Sequence, residues 1–330
     1  YLCRMELLSA NRLFTAMNSM GKQKQPFVFL TDAFLSRGYI ATLEDAGSHL
    51  RFKTPCHSNI SKRVRTNALK EWNIFPISYE SYQSGFNVIM NHIHRGDSFL
   101  LNYTQPTRVE TNLTLEELFY TSHARYKVHL KGVFTCFSPE TFVTIDEHGI
   151  ISSFPMKGTA DTSDENAEAL LMADSKEIAE HNTIVDLIRN DLSRVATKVA
   201  VEKFRYTERI RTNQKELIQV SSKISGKLPE DWQAYIGDIF GKLLPAGSVT
   251  GAPKPKTVEI IRNTEKYERG WYTGIFGIFD GKSLDSAVLI RFIENLDGEM
   301  IFKSGGGITF QSDCKSEYNE LVKKVYVPVA

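Results

Sequence analysis

Cysteine is scarce in this chain: four in 330 residues, at positions 3, 56, 136 and 314, with no Cys-x-x-Cys pair and no histidines at zinc-ligand spacing. That scarcity argues against a disulfide framework and a structural zinc module, and fits reduced thiols and a cytoplasmic address. Charge of one sign is not in excess either. Forty Lys and Arg against 39 Asp and Glu leave a net charge of +1, so nothing electrostatic points to nucleic acid or an anionic membrane as partner. Long apolar runs are missing, and the opening Tyr-Leu-Cys-Arg-Met-Glu lacks the apolar core of a secretion signal. Repeats and low-complexity stretches are absent as well. The stretch Gly251-Ala-Pro-Lys254 resembles a P-loop only superficially, because Ala252-Pro253 breaks the required Gly-Lys-Ser/Thr.

What remains is an ordinary globular composition, 42% hydrophobic and 24% charged. Length alone suggests about two domains, but the patterning reads as one interleaved α+β domain of antiparallel sheets with flanking helices. Residues 1–75 are weakly patterned and 78–330 form the core of the reading. Tyr82, Phe86, Ile89, Met90 and Ile93 recur at helical spacing after Ser78 and stop at Gly96. Thr114 with Glu117 three residues on is a capping-box start. Strands are expected at 99–104, 132–137, 141–146 and 149–154, the last three as a meander leading into Lys157 at the end of a rigid element. Further strands are expected at 195–207, 217–224, 271–279 and 286–294, with Arg291 lodged in the last. The strand at 301–310 should be broken by Gly305, Gly306 and Gly307, whose use is close approach of backbone N–H groups to an anion. Helices are expected over 175–194 and 231–243, after Pro253, and at the C-terminus.

Two carboxylate pairs stand three residues apart on predicted helices, Glu177/Glu180 and Glu317/Glu320. Such pairs repel unless a cation sits between them. Were the two helix starts to converge, four oxygen-only ligands would suit a hard cation of the magnesium type. Arg291 and the glycine amides would hold a carboxylate, leaving Lys157 and Glu140 at the reacting carbon. A lysine becomes a nucleophile when burial lowers its pKa. The pattern describes a site for a small dianionic metabolite.

Several segments, in this order, resemble the chorismate-utilising enzymes: Ser-Pro-Glu140, Pro-Met-Lys-Gly-Thr at 155–159, Ile-Val-Asp-Leu-Ile-Arg-Asn-Asp-Leu at 184–192, Gly-Ser-Val-Thr-Gly-Ala-Pro-Lys at 247–254, Ile-Arg291, Ser-Gly-Gly-Gly-Ile at 304–308 and Glu-Tyr-Asn-Glu320. The resemblance covers most of the chain from about residue 78 and implies the anthranilate synthase component I-like fold. Within the family, a lysine at 157 is similar to the aminodeoxychorismate synthase type, where anthranilate synthases usually carry alanine. Isochorismate-forming members use a lysine base where this chain has Leu100.

The resemblance therefore implies amination of chorismate to 4-amino-4-deoxychorismate on the route to 4-aminobenzoate and folate. It implies Mg2+ held directly by Glu180 and Glu320 and through water by Glu177 and Glu317. Arg291, Tyr272, Gly305, Gly306 and Gly307 would position substrate, with help from Lys324, Thr250 and Ser248. Lys157 would attack C2 and Glu140 would protonate the leaving hydroxyl. Gln219 stands where the family commonly has histidine, and Thr141 where arginine is common. No nucleophile-elbow cysteine is present, so ammonia is expected from a separate glutamine amidotransferase subunit. The alternatives are an anthranilate, salicylate or isochorismate synthase of the same family, or a non-catalytic homologue that binds chorismate-like anions.

Overall fold

A computed structural model of the chain describes residues 6–47, 49–60, 66–161, 166–211 and 216–329. Two antiparallel sheets dominate it. The nine-stranded sheet runs, edge to edge, through Met156–Asp161, Glu216–Lys227, Ile150–Ser153, Thr141–Ile145, Leu284–Val288, Ile275–Phe279, Phe27–Thr31 and Gly38–Thr42, with Thr197–Arg211 also paired to Glu216–Lys227. The eight-stranded sheet runs through Gly251–Ala252, Leu100–Thr111, Glu299–Thr309, Phe292–Leu296, Phe134–Cys136, Lys127–Leu130 and Leu50–Lys53, with Trp72–Pro76 also paired to Leu100–Thr111. Successive stretches of chain pass from one sheet to the other, so neither is a separate sequence block. The weakly patterned N-terminal part belongs to both sheets: 27–31 and 38–42 to one, 50–53 to the other.

Alternation explains the layers. Every residue of Phe27–Thr31 is buried, because successive side chains leave a strand on opposite faces and both faces are covered. Phe27 and Phe29 enter a cluster with Phe240, Trp232 and Met17 beneath the helices. Val28 and Leu30 enter one between the sheets, with Phe52, Val128, Phe134, Phe276 and Phe292. Gly277 faces Phe29, and a Cβ there would lie 2.2 Å from the ring. A third cluster packs helices Tyr79–His94 and Lys254–Thr264 on the eight-stranded sheet through Ile89, Ile260, Leu101 and Ile308. Ser78 caps its helix by accepting from the Ser81 N–H, and Thr114 with Glu117 closes the expected capping box.

Several details differ from what the sequence led us to expect. Residues 132–154 are not one meander: Phe134–Cys136 joins the eight-stranded sheet while Thr141–Ile145 and Ile150–Ser153 join the other. Phe134–Cys136 and Thr141–Ile145 carry similar residues, and nothing local marks which sheet each joins. The apolar run over 286–294 likewise divides into Leu284–Val288 and Phe292–Leu296, one in each sheet. Arg291 sits in the crossover with φ 53°, not inside a strand. Gly305, Gly306 and Gly307 do not break their strand; they pair with Thr104, Tyr103 and Asn102. Lys157 is not past the end of a strand but within Met156–Asp161, at an irregularity in its pairing with Glu216–Lys227.

Candidate active site

One cavity of about 1550 Å³ collects most of the predicted residues. Glu140, Gln219, Ser248, Tyr272, Arg291, Gly305, Gly306, Gly307 and Lys324 line it, and so do all four predicted metal ligands, Glu177, Glu180, Glu317 and Glu320. Glu177 and Glu180 come from the helix Ser175–Ser193, whose Val185, Ile188 and Leu192 anchor it in the core under the nine-stranded sheet. Glu317 comes from the helix Cys314–Lys323, capped by Asp313 accepting from the Ser316 N–H. The cavity therefore lies where a helix from one layer faces a helix from the other.

Gly158, at φ 86°, has a measurable reason to be glycine, and Gly306 stands beside two of the carboxylates. A Cβ on Gly306 would lie 3.4 Å from Glu317 Oε2 and 3.9 Å from Glu320 Oε1, and one on Gly158 would lie 3.1 Å from Glu177 Oε2. Each leaves room beside a carboxylate. Ser312 donates to Glu317 Oε1 at 2.8 Å. Lys324 pairs with Glu320 at 2.6 Å and donates to the Gly305 carbonyl at 2.9 Å. Among the described residues, no three His, Cys, Asp or Glu side chains are drawn together as a formed metal cage.

Glu140 is the best-defined acid of the cavity. Ser248 donates to its Oε1 at 2.6 Å, and its own carbonyl accepts from the Val288 N–H at 3.2 Å. Burial pushes its pKa above the ordinary glutamate value, and the opposing pull of Ser248, Lys324 and Arg291 does not cancel that. The carboxyl thus keeps its proton to higher pH than an exposed one. Ser248 in turn rides on a short turn, Gly247–Val249, packed over Asp191. Lys254 fixes Asp191 at 2.8 Å and the Leu243 carbonyl at 2.7 Å.

Arg291 leans over the Tyr326 ring at 5.1 Å, and its carbonyl accepts from the Phe137 N–H. Tyr272 is buried in the wall, in a turn that precedes Ile275–Phe279, not in the longer strand expected from 271. Thr250 is the exception among the predicted contacts. It does not line the cavity; its hydroxyl donates to the Ala246 carbonyl at 2.8 Å, holding the turn that carries Ser248. Met156 and Gly158, on either side of Lys157, both line the cavity, and the Lys157 side chain lies outside the described part of the structure.

Sequence reasoning missed three features. Lys303, 3% exposed, lines the cavity and is held by Glu294 at 2.5 Å and by the Glu268 and Arg269 carbonyls. Glu265 and Arg269 form a fully buried pair beneath the floor. Lys127 is a buried lysine within a four-residue strand that is buried throughout. The spacing of Glu265 and Arg269, four apart, was the available signal for the pair; nothing local marks the other two.

Comparison with known proteins decides the family. The family described as "chorismate binding enzyme" matches residues 20–330, nearly the whole chain. The chain belongs to the chorismate-binding enzymes. Two similar relatives are called uncharacterized PabA-like proteins. That of Pasteurella multocida is 48% identical over 98% of this chain and 100% of its own length. That of Haemophilus influenzae is 48% identical over 94% and 95%. Among solved structures, the menaquinone-specific isochorismate synthase MenF of Escherichia coli superposes with a TM-score of 0.71 over 97% of this chain and 82% of its own, at 16% identity, a likeness of fold. The cavity of this chorismate-binding enzyme is thus the place to look for its substrate.

Proposed function

We propose that this chorismate-binding enzyme aminates chorismate to 4-amino-4-deoxychorismate with ammonia delivered by a glutamine amidotransferase subunit, in the cytoplasm, as the aminodeoxychorismate synthase component of 4-aminobenzoate formation. The observation that carries the reading is Glu140: a carboxyl whose pKa burial raises, oriented by Ser248, in a cavity that also holds Arg291 and the residues flanking Lys157.

The steps balance as two displacements. The neutral Lys157 amine forms a bond to C2 of the ring, both ring double bonds shift by one position, and the C4–O bond breaks as Glu140 gives its proton, so the hydroxyl leaves as water. Ammonia then bonds to C4 and returns a proton to Glu140, both double bonds shift back, and the C2–N bond breaks so that the lysine leaves as the neutral amine. Arg291 and the backbone at Gly305, Gly306 and Gly307 hold the substrate carboxylates. Glu177, Glu180, Glu317 and Glu320 line the cavity with oxygen donors only, and together they would hold a hard cation such as Mg2+. When bound, the ion supplies charge that neutralises a ring carboxylate. Gln219 faces the cavity and offers a hydrogen bond, not a proton, which leaves the acid duty to Glu140.

The test is incubation with chorismate, magnesium and ammonium salt, followed by mass spectrometry of product and protein. The expected results are 4-amino-4-deoxychorismate and, without ammonium, a ring adduct on Lys157 that Lys157→Ala abolishes. Fluorescent anthranilate or salicylate appearing instead would overturn the assignment, and no turnover at all would leave a binding protein.

A further inference from the structure

The cavity is larger than the about 300–1,000 Å³ usual for one small ligand, and its far end carries a charge pattern the chemistry above does not use. Lys127 and Lys53 are direct cross-strand partners at the edge of the eight-stranded sheet, and both line the cavity. Directly opposed residues in an antiparallel pair project to one face, and like charges in that relation destabilise the sheet. Lys127 is 6% exposed, with its Nζ 4.8 Å from the Phe119 ring and donating to the Ser122 carbonyl at 2.8 Å. Among the described residues, no carboxylate forms an ion pair with either lysine. Burial first, and Lys53 second, push the Lys127 pKa down to about 8. Among the described residues, the other buried lysine, Lys303, is matched by Glu294, and the partly buried Lys254 by Asp191.

Lys127 lies apart from the reacting end. Val128 pairs with Cys136, and Cys136 with Phe292, so Lys127 lies in line with Phe137 and then Arg291. Two strand spacings, roughly 10 Å, therefore separate it from Arg291. His123 and Arg125 line the same end.

We infer that this end is a second ligand site, which takes a small dianion between Lys53 and Lys127, of the phosphate or short dicarboxylate kind. Two ammonium groups would repel a ligand carrying an ammonium of its own, so amino acids are excluded by charge. The inference does not depend on the proposed amination.

The experiment is thermal unfolding of the full chain with sodium phosphate, malonate or glycine, each at ionic strength matched with chloride. Phosphate, malonate or both should raise the wild-type midpoint saturably, by about 5 °C at a hundredfold excess over Kd, and glycine should not. Which of the two acts identifies the anion. Lys127→Met should abolish the rise, Lys127→Arg should keep it, Lys53→Met should weaken binding about tenfold, and Lys324→Met, at the other end, should leave it intact. No rise beyond chloride, a rise surviving in Lys127→Met, or a rise lost only in Lys324→Met would each overturn the site. Should Lys127→Met not fold, the surface change Lys53→Met decides in its place: weakened binding supports the site, and binding as tight as wild type overturns it.

Discussion

Replacing Glu265 by glutamine tests how the floor of the cavity is held. Its side chain is 2% exposed and that of Arg269 is 0% exposed. Arg269 grips both carboxylate oxygens, at 2.7 and 2.8 Å, while Thr104 gives Oε1 both its N–H and its hydroxyl at 2.8 Å. The guanidinium also donates to the Val249 carbonyl at 2.8 Å and the Asn102 carbonyl at 2.7 Å, tying the Ser248 turn to the long strand Leu100–Thr111. Gln keeps the shape and removes the charge, so the guanidinium is left buried without its counter-ion. Breaking a buried pair from one side costs about 3–5 kcal/mol, out of a total near 5–15 kcal/mol. Urea unfolding followed by tryptophan fluorescence should show that loss. Arg269→Met should cost a similar amount, and the two changes together clearly less than their sum, since each single change strands the other charge. A Glu265→Gln protein within about 1 kcal/mol of wild type would refute the account.

Glu140→Gln should lower kcat by about 10²–10⁴ in ammonium-dependent turnover, with KM changed far less. Because the folded-state pKa of Glu140 is raised, its acid form is lost as pH rises through that value, so the wild-type rate should fall on the alkaline side and the variant should lack that limb. The same sign governs stability. The folded chain binds this proton more tightly than the unfolded one, so the contribution fades as pH climbs through the raised value. Gly251→Ala should fail to accumulate in soluble form, because φ is 128° and a Cβ would lie 1.8 Å from the Leu100 carbonyl oxygen. Phe29→Ala should cost about 3–5 kcal/mol in urea unfolding, since the ring is fully buried against Phe240 at 4.9 Å.

Helices announced themselves in the sequence because their signals are local. Ser78, Thr114 with Glu117, and the Pro253 start each mark an end by a group within a few residues, and each stands where expected. The carboxylate pairs were legible for the same reason, as was their meeting on one cavity once the motifs were read in order. Strand membership was not. Phe134–Cys136 and Thr141–Ile145 have the same apolar texture, and only long-range pairing decides that they belong to different sheets. Arg291 was found, but its backbone was misread, because a crossover between two buried strands looks like one uninterrupted strand. Thr250 was misassigned because a hydroxyl beside a motif gives no sign of the carbonyl it serves. Lys127 went unnoticed because a buried cation is visible only as burial.

The strand Phe27–Thr31 finds one neighbour at Gly38–Thr42 and the other at Ile275–Phe279, with Phe27 opposite Phe279. Its second edge must therefore wait until the ribosome has made roughly 250 further residues, about 10–50 s at ordinary elongation rates. For that interval one side of the strand has no in-plane neighbour, and a strand with a bare hydrogen-bonding edge is open to pairing with any other nascent copy. Survival of the newborn chain then depends on what shelters this early strand, a demand set by the order of the strands and not by the chemistry they serve.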